Sequence, residues 1–190
     1  MSRQAKTYIN PEEYLSLERE AEYKNEYFDG EIFAMVGASR KHNLITTNIT
    51  RELSQRLKTN PCEVYSGDMR IRIPGANIYT YGDVTVVCGE PKFEDGHLDT
   101  LLNLDLIVEV WSKSTASYDR RQKFAFYRTV ESLTDYILVS QDNFHVEHYA
   151  KQPDGRWLLS DYRSTENLVP LDSLSCSLPL REIYDKVSMQ

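Results

Sequence analysis

The chain has no apolar run of the roughly 18 residues that a membrane-spanning helix needs. Its opening, Met1-Ser2-Arg3-Gln4-Ala5-Lys6, leads into polar sequence where a secretory signal would turn apolar. Cysteines number three, Cys62, Cys88 and Cys176, widely spaced and without a Cys-x-x-Cys pair. The expectation is a cytoplasmic protein with reduced thiols and no structural zinc. No Gly-rich phosphate loop follows an apolar run, which argues against a nucleotide cofactor. Nor does a Gly-x-Ser-x-Gly or Cys–His arrangement point to acyl transfer. Repeats, low-complexity tracts and Pro/Gly/Ser linkers are absent, so residues 1–190 are expected to form one domain.

Positive charge is also short. Lys and Arg number 22 against 29 Asp and Glu, a net −7, which argues against a protein that coats nucleic acid through bulk electrostatics. The deficit is uneven. Between Trp111 and Val130 stand Lys113, Arg120, Arg121, Lys123 and Arg128 against the single acid Asp119, a local +4 that leaves −11 elsewhere. Such a strip suits a phosphate-facing edge, with Lys113, Arg120 and Arg121 as nucleic-acid contacts. A solvated helix face has the same pattern.

Asn10 before Pro11, with Glu12 and Glu13 following, predicts a capped short helix. Asp29-Gly30 inside Tyr27-Phe28-Asp29-Gly30-Glu31-Ile32-Phe33 predicts a hairpin turn. Leu44, Ile45, Ile49, Leu53 and Leu57 recur at helical spacing until Asn60-Pro61. Strands are expected over 64–73, 80–88 and 101–111, the last apolar enough to be central. A helix over 117–130 and a strand over 135–140 follow. A hairpin of 144–149 and 157–162 turns at Pro153-Asp154-Gly155, and a short helix lies near 180–186. Helix, three strands, helix, strand gives an α/β (α+β) sandwich around a mixed sheet.

Glu109 sits among Leu106, Ile107, Val108, Val110 and Trp111. A buried carboxylate there needs a cation, either a metal ion or a Lys or Arg in a structural salt bridge. Asp83, followed by Val84-Thr85-Val86-Val87, is a turn residue if alone. Beside Glu109 on a neighbouring strand it would form a carboxylate pair suited to a divalent ion with oxygen ligands. His145 and His148, three apart on an expected strand, face opposite ways and make a poor zinc site.

In this order, Gly82-Asp83-Val84-Thr85-Val86-Val87, Val108-Glu109-Val110-Trp111-Ser112 and the αβββαβ succession resemble the PD-(D/E)XK (restriction-endonuclease-like) nuclease superfamily. Within it the chain is similar to the Uma-type restriction endonuclease family. Glu26 to Ile32, Gly37-Ala38-Ser39-Arg40-Lys41-His42-Asn43, Ser66-Gly67-Asp68-Met69-Arg70, Asp119 to Tyr127 and Tyr136-Ile137-Leu138-Val139 also match. The resemblance implies a restriction-endonuclease-like core with an N-terminal helix-hairpin and a C-terminal β-hairpin added. It implies a metal-dependent endonuclease, a phosphodiester hydrolase using Mg²⁺ or Mn²⁺ on DNA, with Asp83 and Glu109 as metal ligands.

Two positions depart from the superfamily motif. The lysine two residues after the acid is replaced by Trp111, so the resemblance points to Lys123 on the following helix; alternatively Lys123 is an ordinary i,i+4 partner of Asp119. Gly82 stands where the motif has Pro. His42 is the expected helper from the first core helix, with a structural histidine as the alternative. Tyr127, on the helix face of Asp119 and Lys123, is an auxiliary candidate, as is Glu31, which with Glu26 either lines the cleft or flanks the turn. Asp68 either holds a second metal or fixes Arg70. A homodimer would give the two sites that double-strand cleavage needs. The rival function is a nucleic-acid-binding or interaction protein that keeps the nuclease fold without turnover.

Overall fold

Asn10 Oδ1 accepts the Glu13 amide at 2.9 Å and starts α1 (Pro11–Glu20). The hairpin β1 (Asn25–Phe28) and β2 (Glu31–Ala34) turns where Asp29 and Gly30 take φ of 41° and 96°. Ser39 caps α2 (Arg40–Arg56), the first core helix. Next come β3 (Cys62–Ser66), β4 (Arg70–Ile73), β5 (Ile78–Tyr81), β6 (Val84–Cys88), β7 (Thr100–Leu101) and β8 (Leu106–Trp111). The second core helix is composite: α3 (Ala116–Tyr118), a π-helical segment Asp119–Lys123, and α4 (Phe124–Tyr127). Then follow β9 (Asp135–Ser140), β10 (Val146–Lys151), β11 (Trp157–Tyr162), β12 (Leu168–Leu171), β13 (Cys176–Pro179) and α5 (Leu180–Ile183). This computed structural model describes residues 8–113 and 115–189, so Ser114 of the expected exposed loop lies outside the described residues.

Six strands form the central sheet in the order β11-β10-β9-β8-β6-β3, and five form a second sheet in the order β2-β1-β5-β4-β7. The central sheet is mixed, since β8 and β9 run parallel while its other neighbours are antiparallel. The three strands expected at 64–73, 80–88 and 101–111 are each split, and every split carries the chain between the two sheets. Period-two alternation continues through such a crossing, so the sequence pattern conceals it. The β12–β13 hairpin was not expected, because Pro170 weakens a strand reading.

Leu106, Val108 and Val110 of β8 face Ile45, Ile49 and Leu53 of α2, together with Val84, Val86, Ile137 and Val139. Ile107 and Trp111 face the other way, toward Tyr127, Tyr136 and Leu138. Tyr14, Tyr27 and Tyr79 pack α1 onto the second sheet. Cys62 and Cys88 stand directly opposite in the β3–β6 ladder and are joined by a disulfide. That corrects the expectation of three reduced thiols: positions far apart in sequence become one cross-strand pair, and Cys176 alone is free.

Gly82 marks the crossing from β5 to β6, and its place explains why proline is absent. A Cβ there would lie 2.7 and 2.8 Å from Cδ1 and Cγ1 of Ile107 and 3.1 Å from Thr85 Oγ1. Ile107 is fully buried in β8, so its side chain would have to shift within a packed core. Gly82→Ala should therefore cost about 1–3 kcal/mol through overpacking. Urea unfolding of both proteins checks this, and an unchanged midpoint would show that the crossing yields freely.

Candidate active site

Every residue of β8 is buried, and Glu109 keeps only 5% of its surface. Strand alternation turns it to the Ile107–Trp111 face, toward the composite helix. Tyr127 donates its hydroxyl to Glu109 Oε1 at 2.9 Å, and Lys123 Nζ donates to Oε2 at 3.1 Å. Asp119, Lys123 and Tyr127 all turn inward from that helix, the acid and the tyrosine buried and Lys123 keeping 14% of its side-chain surface. The sequence spacing anticipated the shared face but not the wider π turn, in which the Phe124 amide reaches back to the Asp119 carbonyl. Tyr136 of β9 also donates to that carbonyl, at 3.0 Å, tying the irregular turn to the central sheet.

Asp83 reaches the same place from the other side. Val84 pairs with Val108 in the antiparallel β6–β8 ladder, and one further step of that register sets Asp83 opposite Glu109. The Asp83 amide donates to the Val108 carbonyl at 3.1 Å, and the Val110 amide donates to Asp83 Oδ2 at 2.7 Å. The residue is thus held to β8 twice, its main chain by the Val108 carbonyl and its carboxylate by the Val110 amide. His42, in the first turn of α2, brings Nε2 to 3.2 Å from the same oxygen.

Two further acids complete the cluster. Glu26 of β1 lies 3.9 Å from Lys123 Nζ and accepts the Thr80 hydroxyl. Asp119 lies close enough for Lys123 to oppose the effect of its burial. Burial raises the Glu109 carboxyl to about 8; Lys123 pulls it down while Asp83 and Asp119 push it up. For Lys123, burial disfavours the ammonium, but Glu109, Glu26 and Asp119 outweigh it and hold the amine well above the ordinary lysine range. Three carboxyl groups, Glu109, Glu26 and Asp119, therefore act on one ammonium. The sequence offered Asp119 only as a helical partner of Lys123; the signal available was a lone acid in an otherwise basic stretch.

Among the described residues no three His, Cys, Asp or Glu side chains form a ready metal cage. The donor set is two carboxylates, and that fits a hard cation such as Mg²⁺, which keeps several waters and commonly takes one or two protein carboxylates. A cleft of about 730 Å³ opens on Asp83 and His42, and a cavity of about 360 Å³ opens on Lys123 and Glu26.

The other expected residues are placed differently. Arg120 is held by Glu147 at 2.6–2.9 Å and lies 4.3 Å above the Trp111 ring, so its half-buried guanidinium is already paired within the protein. Lys113 and Arg121 remain exposed. Asp68 pairs with Lys24 at 2.8 Å, while Arg70 binds Asp99 at 2.9 Å, so Asp68 does not fix Arg70 as expected. The crossing between β3 and β4 turns their charges to different neighbours. Glu31 opens β2 in register with Phe28. His148 lies 2.6 Å from Asp135, and His145, just ahead of β10, lies 3.0 Å from Asp161.

A crystal structure of a "putative nuclease belonging to DUF820" from Anabaena variabilis shares this fold, with a TM-score of 0.78 over 95% of this chain and 99% of that one at 16% identity. The uncharacterized protein sll1609 of Synechocystis sp. is 42% identical over 149 residues, 78% of this chain and 84% of that one. A second Synechocystis protein, the uncharacterized slr1290, is 36% identical over 176 residues, 93% and 91% of the two chains. The family model Uma2, "Putative restriction endonuclease", matches residues 11–181. The chain belongs to the Uma2 family.

Proposed function

We propose that this protein is a metal-dependent endonuclease that hydrolyses phosphodiesters of DNA. The observation that carries this reading is the Asp83–Glu109 carboxylate pair set across β6 and β8, with the Lys123 ammonium 3.1 Å from Glu109. Family membership and the nuclease-like fold point the same way.

Asp83 and Glu109 would hold one Mg²⁺ or Mn²⁺ ion, which lowers the pKa of water and neutralises charge gathering on a phosphate. The protein's own groups supply the rest. Tyr127 fixes one Glu109 oxygen, so that carboxylate keeps a single orientation. The Val110 amide and His42 do the same for Asp83. Lys123 stays protonated among its acids and can turn from Glu109 toward a non-bridging phosphate oxygen, where a preorganised cation in a partly dry site is most effective. Trp111 occupies the position of the superfamily-motif lysine on the same strand face, so Lys123 is the nearest cation for that task. The alternative, a binding protein without turnover, is favoured by that same tryptophan.

Calorimetry with Mn²⁺ tests the ligand assignment. Glu109→Gln should lose more affinity than the roughly 10–100-fold that removal of an outer-shell partner costs. Equal affinity in both proteins would sink it. Plasmid incubated with Mn²⁺ should be nicked by the wild type and not in EDTA, and Lys123→Ala should slow nicking on the order of 10²–10³-fold. The same variant should bind Mn²⁺ as well as or better than the wild type, because a competing ammonium is gone, and Lys113→Ala should change neither. Cleavage that survives Asp83→Ala or EDTA would refute the metal-dependent reading.

For DNA binding, Arg121→Ala should flatten the logarithmic salt dependence by about one unit, and Arg120→Ala should leave the slope unchanged. A fall of the slope in the Arg120 variant would mean that Glu147 releases it to phosphate.

A further inference from the structure

The cavity of about 360 Å³ beside Lys123 is not needed to hold a metal or to position the carboxylates. Its walls are aromatic. Phe28 and Phe126 meet edge to face at 5.2 Å between ring centroids, and Phe33 and Tyr118 also line it while keeping 48% and 40% of their surface exposed. Three rings left this open, Phe28, Phe33 and Tyr118, with Phe126 half-buried behind them, are an expensive way to meet water beside a charged site. Polar groups stand among them: Glu26, Gln122 and Lys123 line the same cavity, and Lys123 is also the cation on Glu109. The pocket is therefore continuous with the candidate active site.

We propose that this cavity receives one unpaired nucleobase of a DNA strand whose adjoining phosphate lies at Lys123, so that the preferred substrate is single-stranded or locally unpaired DNA. This rests on the nuclease reading for the position of the phosphate. Three observations favour a base over other occupants. A base presents two π-faces and a rim of donors and acceptors, which matches aromatic walls with a carboxylate and an amide among them. A base stacked within a duplex cannot enter a pocket lined this way without being turned out of the helix. The protein also offers little for gripping duplex phosphates: the net charge is −7, and Arg120 is consumed by Glu147 and Trp111. Affinity must then come largely from stacking, which is sequence-tolerant because every base has a π-face. Glu26 adds a bias, since a carboxylate accepts from an exocyclic amine and finds none on thymine.

The test is a binding titration in EDTA, with no turnover, using a short single-stranded oligonucleotide carrying 2-aminopurine and the same strand fully paired. The single strand should bind about tenfold or more tightly than the duplex. Its 2-aminopurine fluorescence should be quenched on binding as the base meets the rings. Tyr118→Ala and Phe126→Ala should each weaken single-strand binding by about tenfold and relieve the quenching, with duplex affinity unchanged. Tyr118 is exposed, so its variant keeps the test open if Phe126→Ala fails to fold, and the wild-type quenching needs no variant. Equal affinity for both DNA forms, or quenching that survives both substitutions, would overturn the proposal. A protein that nicks plasmid with Mn²⁺ yet binds both forms alike keeps the nuclease reading and loses this one. Selective, quenched single-strand binding without cleavage does the reverse.

Discussion

The burial of Glu109 is the constraint around which the rest of the site is arranged. An ionised carboxylate at the middle of a fully buried strand costs several kcal/mol unless it is paired and hydrogen-bonded. Both partners come from one short helix, and a regular helix is not what delivers them. The π turn over Asp119–Lys123 sits immediately before α4, so Lys123 ends the wide turn while Tyr127 ends the regular one, and each takes a different oxygen of the same carboxylate. π turns are frequent at functional sites, because they re-aim a side chain without breaking the helix.

The second acid depends on topology. Asp83 lies where the chain leaves the five-stranded sheet and enters the six-stranded one, so it is bound to the strand ladder on one side and open to a cleft on the other. Only a residue without a side chain fits directly before it, against Ile107 of the very strand that carries Glu109. The glycine and the two carboxylates are thus one packing problem. Trp111 belongs to it as well. Two residues beyond Glu109 on the same face, its ring carries the Arg120 guanidinium, which Glu147 of β10 holds from behind. That stack anchors the π segment to the sheet three residues before Lys123. A lysine in place of Trp111 would remove the platform, so an aromatic on the strand and a lysine on the helix are compatible choices.

Much of this was legible in the sequence because it rests on local chemistry. The Asn10 cap, the Asp29-Gly30 turn, the apolar spacing of α2 and the run around Glu109 each name their structure within a few residues. A buried acid also announces that it needs a cation. What could not be read is whatever depends on which strand lies beside which. The splits at 67–69, 82–83 and 102–105 preserve alternation and so look like continuous strands, although they divide the chain between two sheets. The pairing of Cys62 with Cys88, the capture of Arg120 by Glu147 and the approach of Glu26 to Lys123 all join residues remote in sequence. Of these, the fate of Arg120 matters most, since it turns a candidate phosphate contact into a structural one.

The remaining question is why a fold would keep Glu109 at all. A buried ion pair is often no more stabilising than apolar residues of the same shape, so a bare Glu109–Lys123 bridge would be a poor reason to place a carboxylate in β8. If stability were the only requirement, Lys123 and Tyr127 would suffice, and every further acid nearby would be harmful. Yet Asp119 and Glu26 crowd the same ammonium, and Asp83 and Asp119 raise the Glu109 carboxyl further still. Like charges set opposite each other in a ladder are destabilising. On the reading proposed above, the Asp83–Glu109 arrangement becomes favourable when a divalent cation lies between the two acids. An excess of acid held rigid by backbone, helix and tyrosine would serve a cation site, and a structural salt bridge alone gives no reason for it.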